Sequence, residues 1–142
     1  MLQKQDFQLV PEEYLTAQHR LTHPNGTIAE IVAGNPRYAE GAYKFVREAF
    51  HYVIEMKKRL RRRLPNTGIS PSELLEVLRT MTRIRCGCAA KRQLKSWGVI
   101  SCRDFSEIVR NLGEVGLISL DPGYSEEEFR FGYNFDEAFP EY

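Results

Sequence analysis

The sequence predicts a mainly α-helical domain, compact and closed by a small C-terminal β-hairpin, with the element order of a winged helix. Three observations carry this. Apolar residues recur at three- and four-residue steps between residues 35 and 115, punctuated by helix caps and glycines. After Gly116 the period changes to two, the spacing of a half-buried strand. The chain of 142 residues fits one domain and is long enough to bury a core without help from a metal or a disulfide.

Residues 1–26 read as a partly irregular N-terminal extension. Pro11 and Pro24 interrupt any period, and His23-Pro24-Asn25-Gly26 is a turn signal. Residues 27–142 then form the domain. Thr27 opens a short helix that Gly34 closes. Asn35-Pro36 looks like an N-cap followed by proline at the first helical position. From it Tyr38, Ala42, Phe45, Val46, Ala49, Val53, Met56 and Leu60 form one apolar stripe, predicting a helix over 35–63. Ser70-Pro71-Ser72-Glu73 is a capping box, predicting a helix over 70–85 with Leu74, Leu75, Val77, Leu78, Met81 and Ile84 as its apolar stripe. Gly87 breaks it, and a further helix over 88–97 ends at Gly98. Ser101 starts a helix over 102–115, with Phe105, Ile108, Val109, Leu112 and Val115 inward. Residues 116–120 are a strand candidate, and Asp121-Pro122-Gly123 is a turn. Phe129, Phe131, Tyr133 and Phe135 then alternate with Arg130, Gly132 and Asn134, predicting the second strand.

Several of these segments resemble a family of uncharacterised small bacterial proteins, a domain of unknown function. The resemblance rests on Asn35-Pro36-Arg37-Tyr38, Phe45-Val46-Arg47-Glu48-Ala49, the helix start at Ser70 and Ser96-Trp97-Gly98-Val99. It continues through the segment from Asp104 to Leu112 and Phe135-Asp136-Glu137-Ala138-Phe139. It implies a shared fold over about residues 28–139 and brings no activity, ligand or partner with it. Paired cysteines near position 87 depart from the family's pattern, as does the segment before Thr27.

Charge is the least ordinary feature. The net charge is +1, but the cations and carboxylates are segregated along the chain. Residues 57–95 hold 12 cations, namely Lys57, Lys58, Arg59, Arg61, Arg62, Arg63, Arg79, Arg83, Arg85, Lys91, Arg92 and Lys95, against two carboxylates. In a helix hairpin, the end of one helix and the solvent face of the next can form a single basic surface. Lys and Arg at such density hold RNA or DNA phosphate backbones through counterion release, without reading sequence. Helix C-termini favour cations by ~0.3–1 kcal/mol each, which accounts for part of the run at residues 57–63 and not all of it. The other reading is a solvated or internally paired face. Residues 96–142 are acidic, and Asp121, Glu126, Glu127 and Glu128 offer a face for a protein partner or a second copy of the chain. They would repel phosphates from the helix over 102–115 and from a wing.

Cys86-Gly87-Cys88 and Cys102, with His19 and His23, do not make a zinc site. The cysteine spacing is too short and a fourth ligand is missing, so no metal and no cofactor are expected. No Walker loop, nucleophile elbow or dinucleotide fingerprint is present, and nothing sets the carboxylates of the tail in an apolar pocket, so no catalytic residue is assigned. Arg47 and Glu48 read as an ion pair and Trp97 as core. With no run of ~18 apolar residues and no apolar signal segment, a cytoplasmic protein with reduced thiols and no membrane contact is expected.

Overall fold

The computed structural model describes residues 27–60, 69–120 and 124–140. The expected extension over 1–26, the cations Arg61, Arg62 and Arg63, and Asp121 lie outside them. Helix α1 (Ile28–Gly34) begins at a capping box, in which the Thr27 hydroxyl accepts from the Glu30 N–H at 3.1 Å and Glu30 reaches back. Its end uses Asn35, whose N–H donates to the Ile31 carbonyl at 2.9 Å. The Asn35 side chain also accepts from the Arg37 N–H at 3.4 Å, holding a turn. Asn35-Pro36 is therefore spent closing one helix. Ala39 next donates to the Trp97 carbonyl at 3.1 Å, and α2 (Glu40–Leu60) begins only after that crossing.

Helix α3 (Pro71–Cys86) starts at the expected box, with Ser70 Oγ accepting from the Glu73 N–H at 3.2 Å and Glu73 accepting from the Ser70 N–H at 3.0 Å. It packs antiparallel to α2, because Lys57 at the end of α2 pairs with Glu73 while Glu48, further back on α2, pairs with Arg85. Gly87 ends α3, a 3₁₀ turn spans Gly87–Ala89, and α4 (Ala90–Ser96) and α5 (Cys102–Glu114) follow. Gly98 has φ +91, and a Cβ there would lie 2.6 Å from the Arg37 carbonyl oxygen. Glycine lets the α4–α5 link press against the loop before α2. Tyr38, Tyr43, Phe50, Leu74, Leu78, Leu94, Phe105, Ile108 and Leu112 fill a single core between these helices.

The hairpin does not form. Among the described residues there is no strand, so the fold is helical and has no wing. Residues 117 and 118 finish α5: Gly116 takes φ +81, Leu117 donates to the Leu112 carbonyl at 3.0 Å, and Leu117 and Ile118 are both buried rather than alternating. The segment expected as the second strand is a 3₁₀ turn (Glu126–Phe131) followed by helix α6 (Phe135–Ala138). Asn134 caps α6, its side chain accepting from the Asp136 N–H at 2.7 Å and the Glu137 N–H at 3.3 Å. With no neighbouring strand to bond, the backbone is satisfied locally, and the aromatic residues clasp the core as a strap. The Phe135 ring lies tilted against Phe105 at 5.8 Å and edge-to-face with Phe139 at 5.1 Å between ring centroids. The Tyr133 hydroxyl donates to the Leu75 carbonyl at 2.7 Å. No helix among the described residues is long and apolar enough to cross a membrane.

Candidate functional site

The structure divides the basic run into two groups at opposite ends of the α2/α3 hairpin. Glu73 and Arg85, which mark those ends, are separated by about 18 Å along α3 at the helical rise per residue. At the first end, Lys57 pairs with Glu73 at 2.8 Å and Arg59 with Glu55 at 3.7 Å. Lys58 is exposed and has no carboxylate partner among the described residues. Burial opposes ionisation of Glu73, but the Lys57 ammonium and the Ser70 N–H overcome it and hold the carboxyl below its ordinary range.

At the second end, α3, the 3₁₀ turn and α4 meet at a corner. Residues 77–103 contain no Asp or Glu and seven cations: Arg79, Arg83, Arg85, Lys91, Arg92, Lys95 and Arg103. Other parts of the chain answer three of them. Arg79 pairs with Glu76 at 3.5 Å and lies over the Tyr133 ring, Arg85 is held bidentately by Glu48, and Lys91 pairs with Asp136 at 2.5 Å. Glu48 therefore serves Arg85. Arg83, Arg92 and Lys95 are exposed and have no carboxylate partner among the described residues. Arg83 lies in the last turn of α3, where the helix dipole welcomes a cation. Arg92 lies in the first turn of α4, where the dipole opposes one, so helix stability gives it no reason to be there. Ile84, expected on the inward stripe of this helix, is instead 77% exposed and stands between Arg83 and Arg85, because the buried residues of α3 end at Thr82, before its last turn.

A second feature is a polar cleft of about 520 Å³ along α5. Arg37, Arg103, Ser106, Glu107, Arg110, Glu126, Glu127 and Phe129 line it. Beneath it lies a buried network. The Tyr38 hydroxyl sits 2.5 Å from Asp104 Oδ1 and 2.8 Å from Glu107 Oε1, and Asp104 Oδ2 accepts from the N–H groups of Ile100 at 2.8 Å and Ser101 at 3.2 Å. Burial, followed by the two carboxylates, pushes the Tyr38 hydroxyl far above its ordinary pKa, so it stays protonated as a donor. The Arg37 guanidinium lies over the Tyr38 ring, 3.6 Å from Asp104 and 3.7 Å from Glu107. Arg110 pairs with Glu126 at 3.4 Å.

The carboxylates Glu126, Glu127 and Glu128, expected as a docking face, form the first turn of the second 3₁₀ element and are exposed. Glu126 and Glu127 line the cleft, where Arg110 of α5 pairs with Glu126. Sequence reading missed the cleft because its parts come from residue 37, one face of α5 and the strap. Of the cysteines, Cys88 is exposed, while burial pushes the Cys102 thiol up to about 11. Among the described residues, no group of three or more His, Cys, Asp or Glu side chains is placed to hold a metal ion.

Comparison of the chain with protein-family models, with curated proteins and with solved structures returns no match.

Proposed function

We propose that this protein is a non-catalytic binding domain that holds an RNA or DNA phosphate backbone at the corner between α3 and α4. The observation that carries the reading is the absence of any carboxylate over residues 77–103, with Arg83, Arg92 and Lys95 left exposed and unanswered among the described residues. A solvated face needs no such exclusion of Asp and Glu, and the position of Arg92 works against the helix that bears it. Exposed cations suit a repeating phosphate charge and carry no base readout, so binding would be insensitive to sequence. Lys58 stands apart from the corner, near the Lys57–Glu73 pair at the other end of the α2/α3 hairpin. The reading carries a cytoplasmic location, where the thiols stay reduced. The family likeness supplies no ligand to it.

The test is a mobility-shift titration against single-stranded, duplex and structured RNA and DNA near physiological salt. Binding is expected with little sequence preference. Replacing Arg83, Arg92 and Lys95 together with glutamate should abolish it, while reversing Glu126, Glu127 and Glu128 to lysine should leave it intact or strengthen it. No binding across the panel, or binding indifferent to the corner variant, contradicts the reading.

A further inference from the structure

Cys86, Gly87 and Cys88 make the turn between α3 and α4. Cys88 is exposed and Cys86 is only partly buried against the core, although cysteine is among the most buried residue types. Packing therefore gives the Cys88 thiol no reason to be there. Cys102 is the contrast. It is buried, its Sγ donates to the Tyr133 carbonyl at 3.4 Å, and burial pushes its thiol up to about 11, the state of an inert core thiol.

The turn suits a bond between the two outer sulfurs. One residue separates them, so their Cα atoms are joined by two steps of about 3.8 Å and stand no more than about 7.6 Å apart. Disulfides bridge Cα atoms roughly 4.4–6.8 Å apart, so a small rotation at the middle residue is enough. That residue is Gly87, at φ +54, and a Cβ on it would meet nothing within 4 Å. The space beside it is open, and glycine passes between backbone regions at little cost.

The surroundings select the reagent. Residues 77–103 contain no carboxylate, and Arg83 and Arg92, three residues before Cys86 and four after Cys88, are exposed without a carboxylate partner among the described residues. Such a field draws in a small anion and repels a cation. Glutathione disulfide has more carboxylates than amines and is a net anion, so it matches the turn in both charge and chemistry.

We infer that Cys86 and Cys88 are a reversible dithiol–disulfide pair that exchanges with small anionic disulfides of the glutathione class. The exposed Cys88 thiolate attacks one sulfur of the incoming disulfide. A mixed disulfide forms as the external S–S bond breaks, and one glutathione leaves as its thiolate. The Cys86 thiolate then attacks Cys88 Sγ, closing the Cys86–Cys88 bond and expelling the second glutathione thiolate. The protein gives up two electrons and two protons, and the external disulfide becomes two thiols. A bond closed across one exposed residue is of the strained, accessible kind that thiols reopen readily, so excess reduced glutathione reverses the exchange. This inference does not rest on nucleic-acid binding at the corner, and either can fail alone.

The test incubates the full-length protein with glutathione disulfide, blocks the remaining thiols with a maleimide in denaturant and maps the peptides by mass. Trypsin cuts after Arg85 and Lys91, so Cys86 and Cys88 share one peptide and Cys102 lies on another. The shared peptide is expected to lose two hydrogens and take no maleimide, while the Cys102 peptide is fully labelled. Reduced glutathione in excess should restore both thiols. Cys86→Ser should stop at a stable glutathione adduct on Cys88, and Cys88→Ser should slow reaction at Cys86 by about tenfold. Arg83→Ala combined with Arg92→Ala should slow glutathione disulfide several-fold and leave the neutral hydroxyethyl disulfide unaffected. A lasting adduct on Cys88 of the unchanged protein, a bond to Cys102 or between chains, or no reaction overturns the pair. An unchanged rate with glutathione disulfide in the double arginine variant overturns the choice of reagent.

Discussion

The cleft face sets two of its three arginines beside carboxylates, whereas the corner leaves Arg83, Arg92 and Lys95 without one among the described residues. On the cleft face, Arg37 and Arg110 stand beside carboxylates, and the buried Asp104 is surrounded by donors from Tyr38, Ile100 and Ser101. At the corner, Arg83, Arg92 and Lys95 are exposed, and the chain around them excludes carboxylates. Charge on the first face holds the fold together, and charge at the corner is displayed to something outside it.

The largest effect that separates them is on stability. Asp104→Ala should remove about 2–3 kcal/mol, because it takes the acceptor from the Ile100 and Ser101 N–H groups and uncaps α5, while the Tyr38 hydroxyl keeps Glu107. Arg83→Ala, Arg92→Ala and Lys95→Ala should each stay within about 0.5–1 kcal/mol, as ordinary surface changes do. Urea denaturation of the four variants measures this contrast, and equal losses would erase it.

Gly132→Ala probes the strap next. A Cβ there would meet Cys102 Sγ at 2.7 Å and Leu75 Cδ1 at 3.0 Å, so a loss of about 1–3 kcal/mol is expected from overpacking. In an exposed strand the same change would be neutral or stabilising, so its sign distinguishes the clasp from a hairpin.

A smaller effect is expected with pH at the far end of the hairpin. The folded carboxyl of Glu73 titrates below its ordinary value of 4.5, so its contribution is present above that pH and is lost as pH falls through the folded value. Lys57→Met or Glu73→Gln should flatten this acid limb of the stability profile, and an unchanged limb would show that the pair contributes nothing. The mildest probe is alkylation. Cys88 should react first, while Cys102, held near 11 by burial, should react only on unfolding.

Local signals were legible wherever the physics is local. Ser70 with Glu73, Gly87 and Gly116 mark helix ends because caps and left-handed turns need those residues within a few positions. Asn134 was misread because the same aromatic alternation serves a strand or a strap, and only a neighbouring strand decides between them. Asn35-Pro36 has a similar ambiguity, since Asn closes a helix as readily as it opens one. The basic run was visible as composition. Which of its members the chain itself answers was not, because Glu48 reaches Arg85 and Asp136 reaches Lys91 across the fold. The cleft was invisible for the same reason. Tyr38 read as one apolar residue of a stripe and Asp104 as a first-turn carboxylate, and their hydrogen bond joins residues 66 apart.

The account's central claim is that the corner is charge on display, and the salt dependence of nucleic-acid binding tests it most directly. For the unchanged protein, log K should fall linearly with log salt, steeply enough to count several phosphate contacts. With Arg83, Arg92 and Lys95 all replaced by alanine, the slope on duplex DNA should flatten by about 2–3 and the affinity should drop with it. An unchanged slope and affinity in that variant would contradict the claim.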